Sequence, residues 1–429
     1  MDRRNLIEST EMVTAAGAMM GTDTPMIYAM KKYFAKKSKS IRNLNPDMKY
    51  RIMGKTGIYV SALGFGTLRF PMLKDRKTVD EKLAVEIVRH AIDHGLNYMD
   101  AAYAYNDGQS EQTLGKALQD GYRDRVYLTS KSPWWMMERP EDFERIFDES
   151  RNRLRTDVVD FYHIHFVNNK AWNEKIIPFR LIEKIEKLKQ DGKIRFSGFS
   201  FHDSMVMFKK AVDANPDWNF CLIQQNYLDT EHEAGLIGLK YAASKGLGVS
   251  IMEPLRNGFL VTPPKEVQAI FDASTTKRSP VEWALDYLWN MPEVSVVLSG
   301  MSTMQQVKDN LEYSSRSSID MLDINDVATI GQAVKLYQEY DGVMPCTGCY
   351  NCLPCHNNVA IGYIFSLVYN QYKIDNNLER AKQLYNCMPH VLRGFKASVC
   401  DSCGECVPRC PQGINIPQAL HKVREELGA

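Results

Sequence analysis

The stretch NYMDAAYAYNDGQSE, residues 97–111, decides the fold of this chain. It starts as the end of a short apolar strand that carries an acid at Asp100, and Tyr105 follows on the next loop. It then passes into a helix, for which Ser110 is a good N-cap and Glu111 a favourable first-turn residue. An acid at a strand's carboxyl end and a phenol on the loop after it are typical of the functional face of a (β/α)8 barrel. On its own, the stretch also fits a capped turn with ordinary loop packing.

The same strand–loop–helix pattern recurs along the chain. RIMGKTGIYV, residues 51–60, predicts a short hairpin over the barrel floor with its turn at 54–57. The later strands are short and apolar on both faces, which indicates a parallel sheet covered by helices, and eight such units close into a barrel. The predicted strands are 61–66, 97–100, 126–131, 158–165, 194–199, 221–226, 248–252 and 294–299. The predicted helices are 80–94, 110–119, 140–154, 175–190, 203–214, 231–245, 280–290 and 303–313.

Length and charge narrow the class of protein. The 429 residues suffice for a barrel of ~250 residues and a smaller module. The 53 basic and 52 acidic residues balance, so no nucleic-acid partner is predicted. No apolar run approaches the ~20 residues of a membrane span, so no integral membrane segment is predicted. We predict an N-terminal extension at 1–47, the barrel at 48–320 and a small helical domain at 321–429.

The N-terminus leaves the location of the protein open. Arg3 and Arg4 precede a mildly apolar run at 12–21, which resembles a twin-arginine export signal. Glu8 and Glu11 interrupt the apolar stretch, and no clean A-x-A cleavage site follows. We therefore predict a cytoplasmic protein, with twin-arginine export to the periplasm as the alternative.

Three successive strand ends carry chemically useful side chains. The second strand gives Asp100 and Tyr105, the third ends in Lys131, and the fourth ends in His165. A single strand-end lysine or histidine is usually solvated or satisfied by a hydrogen bond. Because the carboxyl ends of barrel strands converge on one face, these four side chains are predicted to share a pocket.

This set suits proton delivery to a carbonyl group. Tyrosine has an unperturbed pKa near ~10, and a buried Lys131 ammonium beside Tyr105 would lower it. Asp100 would neutralise the lysine, and His165 would orient the substrate oxygen with a ring N–H. With an external hydride source, Tyr105 as proton donor would reduce an aldehyde or ketone to an alcohol. Trp134 and Trp135 follow Lys131, and they are predicted to wall the pocket or to pack in the loop.

Seven motifs at the expected strand ends resemble the aldo-keto reductase family over about residues 50–315. They are LGFGT (63–67), MDAAYAYNDGQSE (99–111), LTSK (128–131), DFYHIH (160–165), GFS (198–200), MEPL (252–255) and SGMSTMQQVKDN (299–310). The resemblance implies Asp100, Tyr105, Lys131 and His165 as the catalytic residues, with NAD(P)H extended across the barrel mouth. His163, one layer deeper on the strand of His165, is better interpreted as core.

The resemblance also implies a set of cofactor-binding residues, which run from the nicotinamide to the adenosine. They are Gly66, Thr67, Ser200, Gln224, Pro254, Leu255, Gly300, Ser302, Thr303, Gln306 and Asn310. Phe201 stands where many members carry an asparagine, and the Gln224–Gln225 pair leaves the sixth-strand alignment open by a residue or two. The basic residues that commonly bind the 2′-phosphate of NADP fall on Gly300 and Gln306, so NADH and NADPH both remain open.

The ten cysteines cluster at the C-terminus, because only Cys221 precedes residue 346. Residues 400–411 match the bacterial ferredoxin spacing C-x2-C-x2-C-x3-C-P. An earlier run at 346–355 is one residue short before its fourth cysteine. Zinc sites usually pair two C-x2-C knuckles across a longer gap, so two [4Fe–4S] clusters are the favoured prediction. Cys221 and Cys387 are predicted to be buried thiols.

In two-cluster ferredoxins the fourth cysteine of each run binds the other cluster. One cluster is therefore predicted to use Cys346, Cys349, Cys352 and Cys410. The other is predicted to use Cys355, Cys400, Cys403 and Cys406. Helical patterns at 359–372, 377–387 and 417–427 indicate an α-helical ferredoxin-like domain. The chain after residue 48 resembles a subset of bacterial aldo-keto reductases that carry such a module.

These predictions combine into an NAD(P)H-dependent carbonyl reductase, or alcohol dehydrogenase in reverse, with two C-terminal clusters. A hydride moves two electrons and a cluster moves one, and the sequence shows no flavin site. Electron transfer to a redox protein, redox sensing and a structural role therefore stay open for the clusters. The alternative function is an electron-transfer or regulatory subunit whose barrel binds nucleotide with little turnover.

Overall fold

The computed structural model describes residues 41–428 except residues 76, 341 and 387–395. Its main body is a closed barrel of eight parallel strands, in which each strand pairs with the next along the chain and the last closes on the first; this confirms the predicted (β/α)8 fold. The barrel strands are β3 (Leu63–Gly66), β4 (Tyr98–Asp100), β5 (Tyr127–Pro133), β6 (Val159–Val167), β7 (Ile194–Phe201), β8 (Phe220–Gln224), β9 (Gly248–Met252) and β10 (Val294–Ser299). No end of a predicted strand differs from these bounds by more than two residues.

Side chains alternate between the barrel interior and the surrounding helices, as the twofold period of a strand requires. Tyr98, Phe161, Phe220 and Val296 fill the interior, and the outward-facing residues pack against the helices in the main core. The helices around the barrel are Glu81–Asp93, Gln109–Ala117, Asp142–Leu154, Leu181–Gln190, Met205–Asp213, Gly235–Ser244, Lys265–Ala273, Pro280–Trp289 and Met304–Arg316. Lys265–Ala273 was not predicted from the sequence.

The predicted hairpin closes the barrel floor. Strands β1 (Tyr50–Ile52) and β2 (Tyr59–Ser61) pair antiparallel, and Met53 and Val60 are buried in the barrel interior. Gly54 has a φ of +50°, and a Cβ at this position would lie 2.1 Å from the backbone nitrogen of Gly248. The turn therefore requires glycine, since a side chain would prevent the hairpin from seating on β9.

A second, smaller body with its own core follows the barrel. Its helical segments are Tyr363–Tyr369, Asn370–Asp375, Leu378–Asn386 and Ile416–Leu427, and they bury Phe365, Tyr369, Tyr385 and Leu420. The helix Ile324–Gln338 precedes this module, but it packs on the barrel side, where Tyr337 contacts Phe259. The paired arginines at 3–4 and Cys387 lie outside the described residues.

None of the helices in the described ranges combines the length and the apolar character needed to cross a membrane.

Candidate active site

Lys131 and Asp100 form a buried ion pair at the carboxyl ends of β5 and β4. Nζ of Lys131 donates hydrogen bonds to Oδ1 of Asp100 at 2.6 Å and to the carbonyl oxygen of Ala101 at 2.7 Å. Oγ1 of Thr129 donates to the other carboxylate oxygen at 2.9 Å. Burial acts to lower the pKa of Lys131, but Asp100 and Tyr105 outweigh it and raise that pKa. The lysine is therefore a cation inside the barrel at neutral pH.

Tyr105 lies over this cation, with Nζ of Lys131 4.7 Å from the centre of its ring. Burial raises the pKa of Tyr105, while Lys131 acts to lower it and Asp100 to raise it. We expected Lys131 to lower the pKa of Tyr105. Its charge does act in that direction, but the prediction is wrong for the net pKa, because desolvation of the phenolate is the larger contribution. Tyr105 is protonated at neutral pH, which is the form that delivers a proton.

His165 and Trp135 complete the pocket beside Tyr105. The His165 ring centre lies 5.9 Å from that of Tyr105 and 5.0 Å from that of Trp135. Burial and the nearby Lys131 charge hold the pKa of His165 well below its ordinary value, so the ring is neutral. Its Nδ1 has no hydrogen-bond partner among the described residues. The neutral ring can therefore donate only one N–H to a substrate oxygen.

The two remaining aromatic candidates lie away from the pocket. His163 is fully buried in register with Lys131, and its ring packs edge-on against Phe220 at 4.5 Å. Trp134 is buried, and its indole nitrogen donates to the carbonyl oxygen of Phe166. Both contribute to the core, as interpreted for His163, and only Trp135 of the tryptophan pair walls the pocket.

A cleft of about 430 Å³ opens from Tyr105 across the ends of β3, β9 and β10. Most of the predicted cofactor residues line it, and they are Gly66, Pro254, Leu255, Gly300, Ser302, Gln306 and Asn310. The Arg69 side chain packs against Gly300, where an added Cβ would stand 2.7 Å from Cγ of Arg69. An elongated ligand in this cleft would have one end at Tyr105 and the other at the helix Met304–Arg316.

The other four predicted cofactor residues do not line the cleft. Thr303 caps the helix Met304–Arg316 by accepting from the backbone nitrogen of Gln306. The hydroxyl of Thr67 is buried without a hydrogen-bond partner in the described structure. Oγ of Ser200 accepts from the backbone nitrogen of Phe166 at 2.7 Å. Gln224 lines a separate cavity.

Arg69 spans the cleft. Its guanidinium donates to Oδ1 of Asn257 on the opposite wall, and its carbonyl oxygen accepts from Oγ of Ser302 at 2.6 Å. Neither Arg69 nor Asn257 was predicted from the sequence, because their pairing joins residues 188 positions apart.

Comparison with known proteins identifies the family to which this barrel belongs. The model of the aldo/keto reductase family matches residues 62–333. The chain belongs to the aldo/keto reductase family. It is 31% identical over 310 residues to L-galactose dehydrogenase of Arabidopsis thaliana, and the alignment covers 66% of this chain and 95% of that protein.

Solved structures agree with the assignment. Aldo-keto reductase AKR11C1 from Bacillus halodurans in its holo form is 26% identical, with a TM-score of 0.56 over 67% of this chain and 96% of that chain. An aldo-keto reductase from Klebsiella pneumoniae in complex with NADPH is 23% identical, with a TM-score of 0.54 over 66% and 94%, which shows a shared fold. This member of the aldo/keto reductase family is therefore an NAD(P)H-dependent oxidoreductase. The family match ends before Cys346.

The eight cysteines that the structure describes in the C-terminal module surround two cavities. Cys346, Cys349, Cys352 and Cys410 line one of them. Cys355, Cys400, Cys403 and Cys406 line the other, which Cys352 also reaches. These are the two sets that the crossed ferredoxin pattern predicts.

The donor atoms of these cavities fit an iron–sulfur cluster. The first cavity offers thiols with only neutral residues around them, and thiolate sulfur is the ligand that such clusters use. Burial, together with the neighbouring Cys349 and Cys410, raises the pKa of Cys346 to about 12. A metal centre bound here would hold these thiols as thiolates. In the second cavity His356 and Asp401 form an exposed pair beside Cys403.

A third cavity lies between the barrel mouth and the module. Gln224, His202 and Glu233 line it from the barrel, and Tyr350 and Cys355 from the module. His202 and Glu233 pair at 3.0 Å, while Nε2 of Gln224 and Oε2 of Glu233 have no partner in the described structure. The predicted nicotinamide partner Gln224 therefore faces the cysteine-rich module as well as the barrel.

The opening stretch differs from prediction at its helix start. The helix Gln109–Ala117 begins after Gly108, whose φ of +86° is left-handed, so Ser110 is not the N-cap. Oγ of Ser110 instead donates to the carbonyl oxygen of Thr67. Glu111 is fully buried, and it accepts from Oγ of Ser130 at 2.6 Å. The Glu111 carboxylate therefore bonds to β5 from outside the barrel. Its position in the first turn of the helix does not predict this contact.

Proposed function

We propose that this enzyme reduces an aldehyde or ketone to an alcohol, or performs the reverse oxidation, with Tyr105 as the proton donor. The observation that carries the proposal is the buried Lys131 cation, which is paired with Asp100 and lies under the Tyr105 ring. The name of one relative, L-galactose dehydrogenase, supports chemistry between an alcohol and a carbonyl. We include sugars among the candidate substrates for this reason.

Each catalytic residue has a distinct task. When bound, NAD(P)H supplies the hydride that the carbonyl carbon accepts. Tyr105 donates its hydroxyl proton to the carbonyl oxygen, and Lys131 stabilises the phenolate left behind. Asp100 holds the ammonium in place, and the neutral His165 ring orients the substrate oxygen through an N–H. Trp135 walls the pocket and limits the access of water to the reacting atoms.

The cofactor has its proposed site in the cleft. The nicotinamide end is assigned to Gly66, Thr67, Ser200 and Gln224, of which Gly66 lines the cleft together with Tyr105. Pro254 and Leu255 border the pyrophosphate, and Gly300, Ser302, Thr303, Gln306 and Asn310 hold the adenosine end. The Thr67 hydroxyl, which follows Gly66 and is buried without a partner in the described structure, supports this assignment, because such a group is rare unless a ligand completes it.

Two [4Fe–4S] clusters are part of the proposal. The first is assigned to Cys346, Cys349, Cys352 and Cys410, and the second to Cys355, Cys400, Cys403 and Cys406. The separate cavity around each set supports this partition. When present, the clusters supply one-electron redox chemistry, and a redox protein is the corresponding partner.

Steady-state oxidation of NADH and NADPH with a panel of aldehydes, ketones and sugars, including L-galactose, tests the reaction. We expect turnover with at least one carbonyl and a loss of ~10²–10⁴ in kcat for Tyr105→Phe. Tyr103→Phe is the matched control, since the Tyr103 hydroxyl bonds Glu149 outside the cleft. Nucleotide binding with equally negligible turnover in both proteins would favour the electron-transfer or regulatory subunit instead.

A further inference from the structure

One wall of the nucleotide cleft is a short loop after β9, here called the cofactor loop (residues 253–258). Glu253, Leu255 and Asn257 line the cleft. The backbone is left-handed at three of its non-glycine residues, with φ of +56° at Glu253, +49° at Arg256 and +57° at Asn257. Non-glycine residues adopt this conformation at a cost, so contacts from outside the loop must hold it.

Arg256 anchors the loop from the side away from the cleft. It is only 5% exposed, and its Nε donates to Oδ2 of Asp229 at 2.9 Å. Its Nη2 donates at 2.7 Å to the carbonyl oxygen of Ser366, which belongs to the C-terminal module. The guanidinium also lies 5.3 Å from the centre of the Phe259 ring. A buried arginine with a carboxylate and a carbonyl acceptor leaves this loop little freedom.

A second contact from the module reaches the next residue of the loop. Nη2 of Arg380, on the helix Leu378–Asn386, donates to the carbonyl oxygen of Asn257 at 3.1 Å. Two consecutive residues of the cofactor loop are thus bound to the module. On its cleft side, Asn257 also accepts from Arg69, which spans the opening.

The helical segment that holds Arg256 also borders the first cysteine cavity. Phe365, the residue before Ser366, lines this cavity together with Cys346. Asn370, further along the same segment, exchanges two hydrogen bonds of 2.8 Å with the backbone of Met344. Directly bonded or adjacent residues therefore connect these cysteines to Ser366.

We propose that Arg256 is a positioning residue that couples the cysteine module to the nucleotide cleft, so that loss of the first cluster loosens the cofactor loop and weakens nucleotide binding. This inference rests on the proposed cofactor site and on the proposed metal in the module. It gives the clusters a role that needs no electron transfer to the nicotinamide. Nucleotide affinity then reports the state of the module, and oxidative loss of metal reduces binding.

The test measures the Kd for NADH, and separately for NADPH, by quenching of tryptophan fluorescence. The wild type and Arg256→Met are each compared as anaerobically purified holoprotein and after removal of iron by oxidant and chelator. We expect metal loss to raise the wild-type Kd about tenfold, equivalent to ~1.4 kcal/mol. Arg256→Met holoprotein should show a similar increase, and metal loss should then add less than about twofold, because the coupling is already broken.

Conservative and distant variants separate positioning from general damage. Arg256→Lys keeps one of the two donors and should recover part of the affinity. Arg123→Met removes an arginine that pairs with Asp160 at the opposite end of the barrel, and it should keep the wild-type Kd and its response to metal loss. Hydrogen exchange of amides 255–260 should accelerate in Arg256→Met and in metal-free wild type, but not in Arg123→Met.

Three outcomes would overturn the coupling between the module and the cofactor loop, and a fourth would also refute the proposed cofactor site. A wild-type Kd that does not change on metal loss, or an Arg256→Met Kd equal to wild type, would overturn the coupling while leaving the proposed cofactor site intact. Equal responses of Arg256→Met and Arg123→Met would overturn it as well. Absence of nucleotide binding in every form would refute the proposed cofactor site and this inference together.

Discussion

Nζ of Lys131 lies 2.6 Å from Oδ1 of Asp100, inside a barrel where both side chains are almost inaccessible to water. A buried ammonium is costly unless it is paired. The pair also has a catalytic consequence, because it holds a positive charge under the Tyr105 ring at neutral pH. This fixed charge is available to stabilise a phenolate as the proton leaves.

Replacing Lys131 with methionine should lower activity and stability for different reasons. The phenolate loses its counter-charge, so we expect kcat to fall by ~10²–10⁴. Asp100 is left as an unpaired buried charge, which should reduce the free energy of unfolding by ~3–5 kcal/mol. The double variant Lys131→Met/Asp100→Asn should regain stability in urea unfolding without regaining rate.

Lys189→Met controls for the loss of a lysine ion pair, since Lys189 pairs with Glu186 on the outer wall. Its rate should match wild type. Recovery of the rate in the double variant would contradict the assigned role of the Lys131 charge.

The pH dependence of the two reaction directions should be opposite. Burial outweighs Lys131 and leaves the pKa of Tyr105 above its ordinary value. Reduction uses the protonated phenol, so its kcat should stay level through neutral pH and fall only as pH rises through that pKa. Oxidation uses the phenolate and should rise over the same interval. Removal of the charge in Lys131→Met should move the breaks of both profiles to higher pH. Lys131→Arg retains a positive charge, so its breaks should move less.

Parallel pH–rate profiles in the two directions measure this prediction. A break in the reductive profile near neutral pH, or breaks that do not move in Lys131→Met, would contradict it.

The convergence of the strand ends was predictable, because barrel topology brings the carboxyl ends of the strands to one face and no distances need to be known. Asp100, Lys131 and His165 follow three apolar runs in order, so their convergence is a consequence of the fold. The position of Cys355 at one cavity with the later cysteine run was predictable for a similar reason, because the crossed pattern depends only on order and spacing.

Features that depend on how deeply a side chain is buried, or on partners far away in the sequence, were not predictable. The net pKa of Tyr105 is set by how far the loop is buried, which no motif encodes. The shifted helix start at Gly108 follows left-handed turns at Asn106 and Asp107. Arg256 contacts a carbonyl group 110 positions away, and nothing in its local sequence separates it from a solvent-exposed arginine.

The cleft should prefer NADH to NADPH. Among the described residues that line it, Arg69 is the only lysine or arginine, and its guanidinium is bound to Asn257. The far end carries Asp309. The Thr303 hydroxyl and the Gln306 side chain already engage the backbone N–H groups of Gln306 and Ser302. A 2′-phosphate would therefore meet a carboxylate and few free donors, and we expect at least about a tenfold lower Kd for NADH.

Gln306→Arg combined with Asp309→Asn should shift the ratio of the two Kd values towards NADPH by about tenfold, since each change is worth ~1 kcal/mol or less near the surface. Arg69→Gln serves as the comparison, because it should affect both nucleotides equally. If the wild type bound NADPH more tightly than NADH, the charged residues that line the cleft would not determine the nucleotide preference.

Single cysteine variants should distinguish the two cavities. Cys349 lines only the first cavity and Cys403 only the second, so serine at either position should remove one cluster. We expect the iron content of anaerobically purified protein to fall from ~8 to ~4 per chain in each variant, since each [4Fe–4S] cluster holds four irons. Cys221→Ser should keep the full iron content, because Cys221 is buried in the barrel wall far along the chain from the module. According to the coupling through Ser366, Cys349→Ser should also weaken NADH binding more than Cys403→Ser does. Stoichiometric zinc without iron, or complete iron loss in both variants, would contradict two separately held clusters.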